Sequence, residues 1–107
     1  FENSASEIRT LLEETQSLAL TSQVSHRVGF DAKDQSLLIE RKQSGYYAIL
    51  QKRPVEEEMT LEATRWPSFG PFGFAQSGTI LLDSPEFQTS IVVSSVGRIR
   101  QTDLLKK

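Results

Sequence analysis

The sequence predicts an α+β fold in which an N-terminal amphipathic helix packs on antiparallel β-sheet. Two patterns support this prediction. Apolar residues recur at helical spacing near the start of the chain, and short strand-like segments separated by turn residues fill the remainder. The 107 residues suit one domain, with residues 1–23 as the helix and residues 24–107 as a β-rich part.

The helix is predicted from an apolar stripe that follows Ser4. Its members are spaced at i, i+3, i+4, i+7, i+10 and i+11, as expected for one helix face: Ile8, Leu11, Leu12, Thr15, Leu18 and Ala19. Ser4 and Glu7 have the spacing of a capping box, which would start the helix near Ser4. The alternative is a helix that continues upstream, which would make Ser4 a surface serine.

The first strands are predicted as an antiparallel meander. Segments 26–31, 36–41 and 46–51 are short, rich in β-branched or aromatic residues, and separated by turn residues. The polar segment 52–58, which holds Pro54, is predicted to be a connection, and 59–64 another short strand.

The second half predicts a loop and then two or three strands. Residues 65–78 are dense in Gly, Pro and Phe, and we expect a loop whose rings fold onto the core, with Phe72 and Phe74 in a strand. Residues 78–83 predict a strand, and residues 87–102 a strand pair or one long strand. Gly97 interrupts the last pattern and predicts a bulge or tight turn.

Composition argues against catalysis and against a field of positive charge over the whole domain. The net charge is -2, from 12 Lys+Arg and 14 Asp+Glu, so nucleic acid would have to bind a local patch. The absence of cysteine excludes disulfides, thiolate chemistry and cysteine-based zinc sites. His26 is the only histidine and is expected at the surface or at a strand end. We therefore predict no catalytic, cofactor or metal-binding residues, and interpret Glu56–Glu58 as a solvated acidic turn.

An aromatic cluster in the loop allows two interpretations. Trp66, Phe69, Phe72 and Phe74 could form a stacking platform for bases or sugars. They could instead close the core of a small domain. Only Arg65 supplies positive charge among them, so the core interpretation is favoured.

The C-terminal arginines are the candidate binding residues. Residues two apart in a strand share a face, so Arg98 and Arg100 would point together while Ile99 turns into the core. Two such guanidinium groups could hold phosphates, with Lys106 and Lys107 adding charge. The alternative, the polar face of a terminal strand, is favoured by the local residues alone.

Four segments, taken in order, resemble the GspH/FimT family of minor pseudopilins and minor pilins. They are "QSLALTSQ" at the helix end, "HRVGFD", "FGFAQSGTILL" and the closing "IVVSSVGRIR". In the family the helix commonly carries an A..LAL pattern, the middle has F-x-x-x-G before a Gly-Thr-Ile strand, and the end has Gly-Arg-x-Arg.

The resemblance implies a pilin-like head from a non-catalytic filament subunit. Such subunits are anchored in the bacterial inner membrane by an N-terminal apolar helix, with the head in the periplasm or at the cell surface. That apolar segment does not follow Phe1 here, so we expect the anchor to lie outside this sequence. The implied partners are other minor and major pilins or pseudopilins, in a type II secretion pseudopilus or a type IV pilus.

The resemblance also implies an alternative function for the closing motif. In the FimT branch the Gly-Arg-x-Arg segment is associated with DNA binding during uptake, and Gly97, Arg98 and Arg100 match it. Related endings in secretion pseudopilins look structural. A filament subunit acting through protein contacts and a DNA-binding minor pilin therefore both remain open.

Overall fold

A computed structural model describes residues 2–107 as one helix followed by ten strands. Helix α1 spans Glu2–Ser22. The strands are β1 His26–Asp31, β2 Ser36–Gln43, β3 Tyr46–Pro54, β4 Thr60–Ala63, β5 Ser68–Phe69, β6 Ala75–Gln76, β7 Gly78–Asp83, β8 Phe87–Val93, β9 Ile99–Gln101 and β10 Leu105–Lys106.

The strands form two antiparallel sheets. The first has the order β3-β2-β1-β5-β6, and the second has the order β10-β8-β7-β4, with β9 also paired to β8. Helix α1 contacts β1 and β5 of the first sheet and β9 of the second. The predicted arrangement, an N-terminal helix packed on antiparallel sheet, is confirmed.

The core is one cluster to which the helix and both sheets contribute apolar side chains. The helix buries Ala5, Ile8, Leu11, Leu12 and Ala19. The sheets bury Val28, Leu37, Ile39, Leu61, Phe69, Ile80, Leu82, Ile91 and Val93, and Met59 joins from a connection. In β7 and β8 these residues alternate with less buried ones, as expected for sheets with one face on a core.

The buried face of the helix differs from the predicted apolar stripe at one position. Leu18 is 37% exposed, because at 100° per residue it lies about 80° from Ile8 and so falls at the edge of the buried face. Thr15 is buried, and its hydroxyl donates to the Leu11 carbonyl at 2.7 Å.

The capping-box prediction at Ser4 is wrong, because α1 already includes Glu2. Ser4 is not a surface serine either. It is buried, and its hydroxyl donates to a Glu56 carboxylate oxygen at 2.8 Å. Ser4 therefore ties the helix to the acidic turn.

The meander is confirmed, with β3 longer than predicted. It continues through Pro54, which sequence patterns placed in a connection. Proline is tolerated there because β3 is the edge strand of its sheet. The 65–78 region contains two-residue strands at 68–69 and 75–76, and Phe72 and Phe74 lie between them, so their predicted place in a strand is wrong.

No helix in the described part of the chain is long and apolar enough to cross a membrane.

Candidate interaction site at the Gly97 turn

The tight turn predicted at Gly97 joins β8 to β9. Three hydrogen bonds close it: Gly97 N–H donates to the Ser94 carbonyl at 2.9 Å, Ser94 N–H to the Arg98 carbonyl at 2.9 Å, and Arg98 N–H to the Ser94 hydroxyl at 3.1 Å. Gly97 has φ of 82°, in the left-handed region that glycine occupies without strain. The turn therefore presents its side chains from a fixed backbone.

Gly97 also lies closely packed against helix α1. The Gln16 side-chain amide donates to the Gly97 carbonyl at 2.7 Å. A Cβ atom at Gly97 would lie 2.5 Å from Gln16 Nε2 and 2.7 Å from the Gly73 carbonyl oxygen. The glycine of the Gly-Arg-x-Arg motif is thus required by backbone conformation and by packing.

The two arginines flank an inward residue, as predicted. Ile99 packs against the core, whereas Arg98 and Arg100 are exposed. Arg98 belongs to the turn, not to β9, which begins at Ile99, so the prediction that one strand carries both arginines is wrong. None of the ion pairs among the described residues includes Arg98 or Arg100.

The C-terminal lysines lie away from the arginines. Arg100 is opposite Val92 in β8, while Lys106 is opposite Phe87. Five residues of β8 separate those positions, about 17 Å at strand spacing. Lys107 forms an ion pair with Asp83, which lowers its availability for a ligand. The structure therefore brings Gly97, Arg98 and Arg100 together and leaves Lys106 and Lys107 outside the group.

The aromatic cluster divides into core and surface members. Phe69 is 1% exposed, and partly buried Trp66 stacks on Phe30 with ring centroids 6.2 Å apart. Phe72 and Phe74 are 80% and 68% exposed, so the prediction that their rings fold onto the core is wrong. The Gly and Pro residues around them favour a turn over a continued strand. The absence of period-2 alternation in this segment was the sequence feature that could have indicated a turn.

Phe72, Phe74 and Val96 lie on two adjacent turns beside the C-terminal half of α1, and we call them the apolar patch. Val96 is 68% exposed. Three contacts hold the turns: Gly70 N–H donates to the Phe74 carbonyl, Ala75 N–H to the Ser95 carbonyl, and the Gln23 side-chain amide to the Pro71 carbonyl. The apolar patch is thus held on an ordered hydrogen-bonded frame.

A groove of about 660 Å³ lies beside the N-terminal half of α1, and we call it the N-terminal groove. Its apolar lining includes Ile8, Leu11, Leu37, Val55 and Met59, and its rim carries Glu7, Arg53 and Glu56. Arg53 is paired with Glu14 at 2.6 Å. Glu56, Glu57 and Glu58 are all exposed, in agreement with the predicted acidic turn, so this end of the molecule carries unpaired negative charge.

His26 begins β1, which confirms its predicted place at a strand end, but it is not a surface residue. It is 1% exposed, and its Nδ1 atom donates to the Val24 carbonyl at 2.8 Å. Among residues 2–107, no group of three His, Cys, Asp or Glu side chains is arranged to hold a metal ion.

Arg27, on the solvent face of the first sheet, was not singled out from sequence. Its guanidinium lies 4.0 Å from the centre of the Tyr47 ring and its Nε is 2.9 Å from a Glu40 carboxylate oxygen. The carboxylate neutralises this guanidinium, so the Arg27 site is a weaker candidate for an anion than the Gly97 turn.

Comparison with solved structures identifies the same fold in a minor pseudopilin and in a minor pilin. The minor pseudopilin EpsH of the Vibrio cholerae type 2 secretion system superposes with a TM-score of 0.79 at 14% identity, covering 94% of each chain. The type IV minor pilin FimU of Pseudomonas aeruginosa PAO1 gives 0.78 at 17% identity, covering 96% of this chain and 93% of that one, and a second crystal form also gives 0.78. No family model and no curated protein sequence matches the chain. The chain therefore has the fold of minor pseudopilins and minor pilins, as its resemblance to them predicted.

Proposed function

We propose that this chain is the head of a minor subunit in a type IV pilus or a type II secretion pseudopilus, and that it acts by binding other subunits. The observation that carries the proposal is the shared fold with both EpsH and FimU over at least 94% of this chain. In this role the chain performs no catalysis, and the membrane anchor of the full subunit precedes α1, leaving the head outside the inner membrane.

The surface supports a role in binding proteins. Specific interfaces use exposed apolar and aromatic anchors surrounded by polar residues. The apolar patch supplies such anchors: Phe72 and Phe74 are more than two-thirds exposed on an ordered frame. Neighbouring exposed apolar side chains rimmed by polar residues are typical of protein interaction sites.

The test is binding to the heads of the other pilins or pseudopilins of the same organism, which we call sister heads. Each purified head is titrated with this chain and followed by isothermal calorimetry. We expect at least one to bind, and Phe72→Ala to weaken that binding. Ser44→Ala, in the exposed β2–β3 turn, is the control that leaves it unchanged. Failure of every sister head to bind would overturn the proposal.

DNA binding by the Gly97 turn is the second candidate function. The observation that favours it is the pair of exposed guanidinium groups, Arg98 and Arg100, that have no described carboxylate partner. Since Lys106 and Lys107 lie elsewhere, the contact is limited to about two phosphates. Such binding is weak and falls about tenfold between 50 mM and 200 mM salt.

Fluorescence anisotropy of labelled duplex DNA tests this second function. The double variant Arg98→Ala/Arg100→Ala should lose the salt-sensitive binding. The matched control is Arg41→Ala/Lys42→Ala, which removes the same charge from two exposed positions on β2. If both double variants weaken binding equally, the attraction is a general charge effect, and the Gly97 turn is not the DNA site.

A further inference from the structure

The apolar patch and the N-terminal groove lie at opposite ends of α1 and differ in shape and charge. The patch adjoins Gln16 and Gln23, whereas the groove is lined by helix residues from Ser4 to Leu11. Their centres are about 12 residues apart along the helix, which corresponds to about 18 Å. One end projects phenyl rings, and the other offers a concave surface with an apolar floor.

The charges at the two ends are complementary. Arg98 lies in the same turn as Val96, and no described carboxylate neutralises it. At the groove end, Glu57 and Glu58 are exposed and form no ion pair with a described cation. A projecting apolar end with free positive charge thus faces a concave end, lined by apolar and polar side chains, with free negative charge.

We propose that the apolar patch of one copy of this chain docks into the N-terminal groove of a second copy, in a head-to-tail arrangement. Phe72 enters the groove, and Arg98 lies against the carboxylates of Glu56–Glu58. The contact is heterologous, since different surfaces of the two copies meet, and it repeats without closing unless another subunit caps it.

The apolar contact supplies most of the affinity, and the charges set the direction. Exposed ion pairs contribute little free energy, but they disfavour the reversed arrangements in which like ends meet. Two apolar patches facing each other would place Arg98 of both copies together, and two grooves would bring their acidic turns together. The isolated contact is expected to be weak, since it gains strength only from the high effective concentration within a filament.

This inference rests on the proposed function, and engineered cysteines can test it separately because the chain has no cysteine of its own. Ser95→Cys, beside Val96 in the patch turn, and Ser6→Cys, exposed at the groove, are prepared as single variants, one of them labelled with nitrogen-15. Both variants keep Phe72, Arg98 and the acidic turn. They are mixed under mild oxidation, and disulfide-linked pairs are resolved by intact-mass spectrometry. Ser44→Cys, at an exposed turn outside both surfaces, measures the rate of random collision with Ser6→Cys.

We expect the mixed Ser95–Ser6 disulfide to form about tenfold faster than the Ser44–Ser6 disulfide and than either same-site product. Adding Arg98→Glu to the Ser95→Cys variant should reduce that advantage, because it places like charges at the contact. Equal rates for the Ser95 and Ser44 pairs would overturn the inference. A Ser95–Ser95 product that forms fastest would also overturn it, by showing a symmetric contact.

The titration with sister heads separates this inference from the proposed function. If the chain binds a sister head but shows no preferred mixed disulfide, the filament role stands and the self-docking arrangement is wrong. If the mixed disulfide is preferred while no sister head binds, the docking surfaces are established and the role among sister subunits is wrong.

Discussion

Gln16 in α1 and Gly97 in the β8–β9 turn are joined by a 2.7 Å hydrogen bond across 81 residues of sequence. This bond fixes the position of the turn that carries Arg98 relative to the helix. It also explains the glycine of the Gly-Arg-x-Arg motif without reference to a ligand, since a side chain at Gly97 would collide with Gln16 and with the Gly73 carbonyl. Packing and backbone conformation therefore explain the glycine of the motif, but they do not explain its two exposed arginines.

Replacing Gly97 by alanine should cost more stability than the left-handed backbone alone explains. Gly45 is the matched control, because it has φ of 87° but no atom within 4 Å of an added Cβ. We expect Gly45→Ala to lower the free energy of unfolding by about 1–2 kcal/mol and Gly97→Ala by about 1–3 kcal/mol more, because overpacking adds to the strain. Urea denaturation measures both, and equal costs would contradict the close packing at Gly97.

The sequence was sufficient for the parts of the fold that repeat a local pattern. The helical stripe led to α1, and alternation bounded by turn residues led to β1, β2 and β7. Leu18 and Ser4 were misplaced, because burial at the edge of a helix face depends on which segment packs beside it. For Ser4 that segment is the acidic turn, whose Glu56 lies 52 residues away.

The candidate site was only partly predictable, for a similar reason. Spacing correctly placed Ile99 inward and Arg98 and Arg100 outward. It could not show that β9 and β10 pair with different ends of β8, which separates the arginines from Lys106 and Lys107. Nor could composition distinguish buried Phe69 from exposed Phe72, since that depends on where the β5–β6 turn falls.

Truncation to alanine should destabilise the fold strongly at Phe69 and hardly at all at Phe72. Phe69→Ala removes a ring that is 1% exposed and should lower the free energy of unfolding by about 3–5 kcal/mol. Phe72→Ala removes a ring that is 80% exposed and should change it by no more than about 0.5 kcal/mol. Thermal and urea unfolding followed by circular dichroism measure both. A large loss at Phe72 would show that its ring supports the fold and would weaken its assignment to an interface.

Lys52 should titrate at higher pH than an ordinary lysine. The Asp34 carboxylate, 2.7 Å away, accepts a hydrogen bond and attracts the ammonium charge, and with a smaller effect from Asp31 it raises the pKa of Lys52 above 10.5. Because the folded-state pKa is the higher one, the resulting stabilisation is complete at neutral pH and is lost as pH rises through that pKa. The contribution is small, since the ammonium group is solvated.

Nitrogen-detected NMR titration of Lys52 provides the measurement. Asp34→Asn should return its pKa towards 10.5, and Asp31→Asn should lower it by less. An unchanged Lys52 pKa in Asp34→Asn would contradict the pairing.

We expect His26 to stabilise the fold through a hydrogen bond from its Nδ1 atom. Since the Val24 carbonyl can only accept, Nδ1 carries the proton in their 2.8 Å hydrogen bond. His26→Phe keeps a buried ring but leaves that carbonyl without its donor, and should cost about 1–3 kcal/mol of unfolding free energy. His26→Asn places an amide donor near the Nδ1 position but loses ring volume, so it also destabilises, through packing. Neither variant should change the affinity for a sister head once folded, because His26 is 1% exposed. The opposite result would be unchanged stability in His26→Phe together with loss of binding to a sister head. That result would place His26 in the binding surface, and its side chain would then have to become exposed when the complex forms.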